Sequence, residues 1–392
     1  MPHQKDYTSK LLDMEHMEIK NIEVTEKEIR LEVVMKRRIC RCPKCGMVTD
    51  KIHDYRMQKV KDVPVQGKAV VWEYRKRRYC CPCCQHRFYE NNGLLPKWHR
   101  MTNRLASYAM EQMKKKISRQ DIANDLQVSA STVGRWLGMV RFGKPERLPK
   151  VLSIDEFRGN TEYGKFQCIL TAPTEKRIFD ILPTYTESTI YQYLKTFSNR
   201  NEVKYFVSDM KKEYISLARH LFPNAKIVID RFHVVRYCTW ALENVRKRVQ
   251  KKLSSEQRKY FKRSRKLLLA HMDKLSDESK AAVERMLLFD RELREAYLLK
   301  EVFYQFMASP NSEHARKKLL EFRMHAAAAQ IPEFDSLLTI LRNWQPYILN
   351  AFDCPYSNGF TEGCNNKIKV IKRIAFGYRN FHNFRSRILL SD

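Results

Sequence analysis

The chain has 392 residues, with 74 Lys and Arg against 44 Asp and Glu, a net charge of +30 and 43% hydrophobic side chains. At roughly 100 to 200 residues per domain, this length excludes a single small module and supplies about two to four domains. The hydrophobic share excludes a disordered basic tail, and the charge points to a polyanionic partner, nucleic acid first. No uncharged run approaches the ~18 residues of a membrane helix, and the polar start MPHQKDYTSK lacks the apolar stretch of a signal peptide. A cytoplasmic protein without a membrane partner is expected.

Charge is uneven along the chain: residues 1–30 carry 5 basic and 7 acidic side chains, whereas 246–266 carry 11 basic and one acidic, so the DNA-facing surfaces are expected downstream. The basic stretch from Arg246 to Lys266 is expected to be an exposed surface for phosphate contacts. Of 11 cysteines, seven fall between Cys40 and Cys84, a clustering that favours metal over a disulfide framework.

An N-terminal region, 1–95, contains short β-like runs (Leu31 to Met35, Ala69 to Tyr74) among the cysteine pairs. Cys42-Pro-Lys-Cys45 and Cys81-Pro-Cys-Cys84 are two Cys-x2-Cys knuckles, a spacing that aims both thiolates of a turn at one tetrahedral ion. One structural Zn²⁺ follows. The 35 residues between the knuckles require an intervening hairpin, with 68–79 as its return strand. Cys80 and Cys83 form a competing knuckle. The Cys81/Cys84 register is preferred because Phe88 then follows the last ligand by four, as a packing residue does in such ribbons. The module reads as too small to bury a core of its own, so metal binding would fold it. DNA end binding is its expected role, helped by Arg75, Lys76, Arg77 and Arg78.

Residues 100–145 read as a helix-turn-helix domain. Ser118 is an N-cap for a helix with apolar residues at 122, 123 and 126, Gln127 and Val128 make the turn, and Ser129 or Ser131 caps a second helix. In that helix Val133 and Leu137 face inward, while Ser131, Thr132 and Arg135 look outward to DNA; Arg119 joins them from the first helix.

From Val151 the pattern changes. VLSIDEF, KFQCILTAP and RIFDILP are successive strands, followed by the helical TESTIYQYLKTF, the strand KYFVSD, a second helix, the strand KIVID and a helix from Arg231. The order βββαβαβα is the layout of a ribonuclease-H-like α/β fold, with its first part at 150–235. Residues 236–353 show no strand signal and read as an α-helical insertion, after which the core resumes over 354–392 with its final helix.

Asp155 and Asp209 end two strands that would be neighbours on this sheet, although an Asp after a strand commonly serves as a turn or helix cap. Glu362 lies on a helix whose polar residues Asn358, Glu362, Asn365, Lys369 and Lys372 recur at three and four, placing one acid among amides and bases on a single face. Three such carboxylates can hold two Mg²⁺ ions, which suits phosphodiester cleavage or strand transfer. Glu156 would point to the opposite side of its strand from Asp155.

These residues resemble the bacterial insertion-sequence transposases of the ISL3 family. The resemblance spans nearly the whole chain: CPKCG and CPCCQHRF, the helix-turn-helix, SIDEF, VSDM, VIDRFHV and NGFTEGCNNKIKVIKRIAFGYRNF. It implies a DDE triad of Asp155, Asp209 and Glu362 on a ribonuclease-H-like core, with Mn²⁺ a possible substitute for Mg²⁺. It also implies an accessory role near the scissile strand for Asp230 and His233, which otherwise read as a helix cap and a packed histidine. Lys369, Lys372 and Arg373 would contact DNA. Terminal inverted repeats and target DNA are the implied partners, a homodimer handles two ends, and the location is the bacterial nucleoid. The doubled Cys80-Cys81 departs from the family pattern. A DNA-binding regulator descended from such an enzyme is the alternative function, and a stand-alone nuclease a third.

Overall fold

A computed structural model describes residues 12, 14, 16–91, 93, 95, 99–261 and 264–392. The opening decapeptide, and Lys262 and Arg263 of the basic stretch, lie outside the described residues. The chain divides into two compact units, Met1–Phe142 with Val370–Asp392, and Gly143–Lys369.

In the first unit the strands are β1 (Met17–Val24), β2 (Glu28–Met35), β3 (Cys40–Arg41), β4 (Val48–Thr49), β5 (Ile52–Val65), β6 (Lys68–Cys80) and β7 (Arg87–Tyr89). β5 and β6 form a long antiparallel hairpin closed by Gln66-Gly67, with φ of 52° and 75°. Positive φ at both central residues is what a two-residue loop needs to match strand twist. β2 runs parallel to the first half of β6, and β7 pairs with its end, giving the order β1-β2-β6-β5 with β7 beside β6. One face buries Leu31, Val33, Val60, Trp72 and Tyr74. The region therefore has an apolar core of its own, contrary to the expectation of a module that metal alone would fold. The reason is the length of β5 and β6, which extend well beyond the knuckles and are joined edge to edge by the β1–β2 hairpin into one wider sheet.

Three helices follow, Asn103–Met113, Arg119–Asp125 and Ala130–Met139. Asp62 of β5 anchors the first, accepting 2.7 Å bonds from the Thr102 hydroxyl and Arg104 Nε. The chain's last helix, Phe381–Leu390, packs against Ala130–Met139 and so groups with this unit, whereas the sequence reading grouped it with the catalytic core. The fixing contact is Arg387, which is 2% exposed and donates to the carbonyls of Lys115 and Ile117 at 2.7 and 2.9 Å.

The second unit is a five-stranded mixed sheet of β8 (Val151–Thr161), β9 (Gly164–Ala172), β10 (Arg177–Leu182), β11 (Tyr205–Ser208) and β12 (Lys226–Ile229), in the order β10-β9-β8-β11-β12. β8, β9 and β10 are antiparallel neighbours, while β8, β11 and β12 are parallel. Side chains alternate between faces. Leu152, Ile154 and Phe206 enter the main core with the helices Glu187–Leu194 and Lys212–Leu221; Val151, Val207 and Val228 face the other way, toward Ala351 and Cys354.

After β12 the chain is helical among the described residues up to Asp353, beginning with the 22-residue helix Arg231–Lys252. Its aromatic residues Phe303, Phe306, Phe322 and Phe334 belong to the same continuous core as the sheet's Leu152 and Phe206. The helical segment is thus built onto the sheet, its last helix Gln345–Asp353 packing on β12 with Asn350 Nδ2 donating to Ile227 O at 2.8 Å. Among the described residues, no helix is long and apolar enough to cross a membrane.

Candidate active site

The two knuckles have matching backbones. The Gly46 amide donates to Cys42 O and the Cys42 amide to Met47 O, while the Gln85 amide donates to Cys81 O and the Cys81 amide to His86 O, at 2.8 to 3.0 Å. Gly46 and Gln85 take φ of 76° and 56° to make these turns. The hairpins bring Cys42, Cys45, Cys81 and Cys84 together, with sulfur separations of 3.6 Å (Cys42–Cys84) and 3.5 Å (Cys45–Cys81). Four thiolates about 2.3 Å from a tetrahedral ion would lie roughly 3.8 Å apart, so the cluster suits such an ion. Cys80 instead points its thiol at Gln85 Oε1, 3.8 Å away, and Cys83 is exposed. Phe88 stacks on Tyr79 with centroids 5.9 Å apart.

Of the four bases named beside this module, Arg77 is 8% exposed and held by Glu90, and Arg78 pairs with Asp54 at 2.8 Å. Neither is free for DNA: both are held in ion pairs, and the buried side of β6 changes from Val70, Trp72 and Tyr74 to Arg77 and Tyr79 along the strand. Arg75 lies over the Tyr55 ring and Lys76 over the Tyr89 ring.

In the helix-turn-helix, Ser118 caps Arg119–Asp125 in a reciprocal box with Asp121, and Ser129 rather than Ser131 caps Ala130–Met139. Gln127, at φ 51°, makes the turn. Ser131, Arg135 and Arg119 are exposed as expected. Thr132 is not: it is 7% exposed, its hydroxyl bonded to the Ser129 cap and accepting from Arg135 Nη2 at 3.1 Å. Thr132 sits in the first turn, where the cap needs a partner and the helix faces its neighbour. Its expected DNA contact is therefore corrected to a cap role.

The sheet places Asp155 and Asp209 as alternation requires. The β8/β11 register runs through Val207↔Ser153, two residues before each aspartate. Both acids thus lie on the face shared with Val151 and Val207, Asp209 just past the end of β11 but Asp155 inside β8, which does not end there as expected because its pairing with β9 carries it on to Thr161. Against this face docks the helix Gly359–Ile374. Its seat is a buried polar bridge: Ser153 Oγ donates to Asn358 Oδ1 at 2.5 Å, and the Thr361 hydroxyl meets Ser153 Oγ at 3.1 Å and Thr171 Oγ1 at 2.8 Å. One turn further along, Asn365 Nδ2 donates to Asp155 Oδ2 at 2.7 Å. The sequence reading missed Ser153, Thr171 and Thr361; the visible signal was a hydroxyl residue inside each apolar run, VLSIDEF and CILTAP. Glu156 points the other way, to Lys211 and to the Tyr214 hydroxyl at 2.7 Å on the helix Lys212–Leu221.

Asp230 caps the helix Arg231–Lys252, accepting from the Phe232 amide at 3.4 Å, and His233 Nε2 lies 2.9 Å from Asp209 Oδ1. The ligand atoms of Asp209, Asp230 and His233 lie within 4.8 Å of one another. Asp155 and Glu362 stand outside that tightest set. Electrostatics nevertheless joins them to it. Burial, then the neighbouring Asp209 charge, pushes the Asp155 carboxyl up to about 7. Burial also raises Asp230, with Glu362 and Asp209 adding to the effect and His233 opposing it. The hydrogen bond that His233 donates to Asp209 raises the His233 imidazole. One Asp230 oxygen, Oδ2, is buried with no hydrogen-bond partner. Crowded carboxylates of this kind are the ligand type that hard divalent cations take.

Lys369 and Arg373 are exposed, Lys369 Nζ donating to Asn366 Oδ1 at 3.2 Å, and Lys372 is half-buried. The basic stretch is less open than expected. Arg246 forks onto Glu243 with two 2.8 Å bonds, and Arg248 bonds Glu333 at 2.7 Å and also pairs with Glu292. Lys247, Lys251, Lys252, Arg258 and Lys259 keep their exposure.

Comparison with known proteins agrees with this layout. Residues 38–84 match the zinc-finger of transposase IS204/IS1001/IS1096/IS1165, and residues 90–137 match the helix-turn-helix domain of transposase family ISL3. The chain is 26% identical over 357 residues to the transposase for insertion sequence element IS1001 of Bordetella parapertussis, covering 88% of this chain and 87% of that protein. It is 27% identical over 181 residues to the transposase for insertion sequence element IS1557 of Mycobacterium tuberculosis, 40% of each chain. A 55-residue segment is 53% identical to part of a Lactococcus lactis protein named ATP-dependent protease, but that covers 13% of this chain and 18% of the other. The ISL3 transposase domain itself matches residues 152–388, more than half of the chain, which therefore belongs to the ISL3 family of insertion-sequence transposases.

Proposed function

We propose that this transposase binds the terminal inverted repeats of its insertion sequence, cuts donor DNA in a Mg²⁺-dependent reaction and joins the ends to a target, acting as a homodimer because two ends must be handled together. The observation that carries the reading is the placement of Asp155, within β8, and Asp209, just past the end of the adjacent parallel strand β11, on one face of the sheet, with the Asp209 charge felt at Asp155. The strand order, three antiparallel strands followed by parallel βα units, supports a ribonuclease-H-like core at 150–235, completed by the helix carrying Glu362 and interrupted by a helical insertion over 236–353.

Asp155, Asp209 and Glu362 would hold two Mg²⁺, with Asp230 and His233 beside them; the unpartnered Asp230 oxygen and the excess of carboxylate fit divalent cations. When bound, such ions supply activation of an attacking hydroxyl and stabilisation of a leaving oxygen. The chain's own residues prepare the site. Asn365 orients Asp155, His233 steadies Asp209, and Ser153, Thr171, Asn358 and Thr361 lock the Glu362 helix to the sheet. Cys42, Cys45, Cys81 and Cys84 would hold one Zn²⁺. Arg119, Ser131 and Arg135 read the repeats, while Lys369, Lys372 and Arg373 neutralise phosphates.

The test is to incubate purified protein with its flanking DNA and Mg²⁺ and map any cut. Cleavage at the repeat ends, abolished in Asp155→Asn, Asp209→Asn and Glu362→Gln, is expected. Normal repeat binding with no cut under any condition would favour the regulator.

A further inference from the structure

The helix Arg231–Lys252 begins at the acid cluster and turns one face into the core through Val234, Cys238, Leu242, Val245 and Val249. Its opposite stripe is unusual for a soluble helix. Phe232 is 56% and Trp240 47% exposed, and Arg236, also exposed, lies between them with its guanidinium 4.4 Å from the centre of the Trp240 ring. These residues are four apart, so they stand in one row about 12 Å long. Tyr237 braces Trp240 edge to face at 5.5 Å, and Phe232 meets the His233 ring at 5.5 Å. Exposed Lys251 continues the same row three turns further on.

We propose that the Phe232–Arg236–Trp240 row is a stacking platform for unpaired DNA bases next to the cleavage site, an inference that rests on the transposase reading above. The flat faces of bases are hidden within a duplex, so exposed aromatic rings gain most from bases that have left it. A cation stacked among the rings, within a chain of net charge +30, suits the accompanying phosphates. Continuity gives the position: Phe232 is next to His233, which pairs with Asp209, so the row starts at the carboxylates. A reaction there frees a strand end, and its terminal nucleotides are the unpaired bases closest to the row.

The test is fluorescence anisotropy in EDTA, which reads binding independently of any metal-dependent cut. The probes are a labelled single-stranded oligonucleotide carrying one repeat end and the same sequence as duplex. Phe232→Ala and Trp240→Ala should each weaken single-strand binding by about tenfold, within the range for loss of one stacked base, and leave duplex binding within about twofold. Trp240→Phe should restore most of the affinity, which a merely structural role would not produce. Equal losses on both probes, no loss on either, or an Ala variant that converts a dimer to a monomer would each overturn the proposal, the last by assigning the row to a second copy of the chain. A wild-type protein that binds single strands in this way yet never cuts DNA would leave the platform standing and remove the cleavage reading.

Discussion

Asn365 donates its side-chain amide to Asp155 Oδ2 at 2.7 Å, joining the helix that carries Glu362 to the strand that carries Asp155. The other Asp155 oxygen, Oδ1, accepts from the Glu156 amide at 2.7 Å, so the carboxylate is held at both ends. Its plane is set by the protein before any ion arrives.

Asn365→Ala should therefore lower the cleavage rate by at least about tenfold, as expected when a catalytic group loses its orientation, while repeat binding stays unchanged. The Mg²⁺ concentration needed for half-maximal cleavage should rise. An undiminished rate would show that Asp155 needs no such support.

The Asp155 carboxyl, pushed up to about 7 from 3.8, ties metal-free stability to pH. Between those values the folded protein keeps a proton that the unfolded chain has lost. The stabilisation is present in full below the ordinary carboxylate range, falls as pH rises through about 7, and is then flat. Three units correspond to ~4 kcal/mol at most. Melts in EDTA should lose stability between about pH 4 and about pH 7, and Asp155→Asn should lack that part of the slope. Parallel profiles for the two proteins would contradict the shift.

Fresh protein should carry one equivalent of zinc by elemental analysis, and Cys42→Ser with Cys45→Ser should lose it. Because Trp72 and Tyr74 are fully buried in a core away from the thiols, the sheet should survive metal loss while the knuckles unravel. Strand circular dichroism retained in zinc-free protein is the expected outcome. Less than half an equivalent in wild type, or full zinc in the double variant, would count against the cluster.

Arg135→Ala should reduce the preference for repeat over random duplex, since an exposed side chain on a recognition helix reads base edges. Thr132→Ala should act differently, costing about 1 kcal/mol of domain stability through the Ser129 cap network, with sequence preference retained. Competition binding and thermal melts separate the two effects.

Arg387 bridges the Lys115 and Ile117 carbonyls from the far end of the chain. Arg387→Ala would remove a buried guanidinium and both of its charge-assisted bonds and should cost about 2 to 3 kcal/mol, weakening repeat binding though the residue contributes no exposed charge. Unchanged melting would refute the anchoring role.

What the sequence determined by itself was local. The knuckle spacing, the Ser118 cap, the apolar face of the helix-turn-helix and the order of strands and helices depend on residues within a few turns or one hairpin of each other, where periodicity and capping chemistry act directly. Three decisions needed the tertiary structure. The choice of Cys81 and Cys84 over Cys80 and Cys83 depends on how the β6–β7 hairpin faces a knuckle 35 residues upstream. The turning inward of Arg77 and Thr132 depends on which neighbour covers each face, since Glu90 and the Ser129 cap hold them there. The assembly of Asp209 with Asp230 and His233, and of Asp155 with Asn365, depends on strand register and on a helix docked from 210 residues away. Such contacts form only when distant segments pack, because a side chain's hydrogen-bond partner is selected by three-dimensional neighbourhood, and that leaves no periodic trace in the chain.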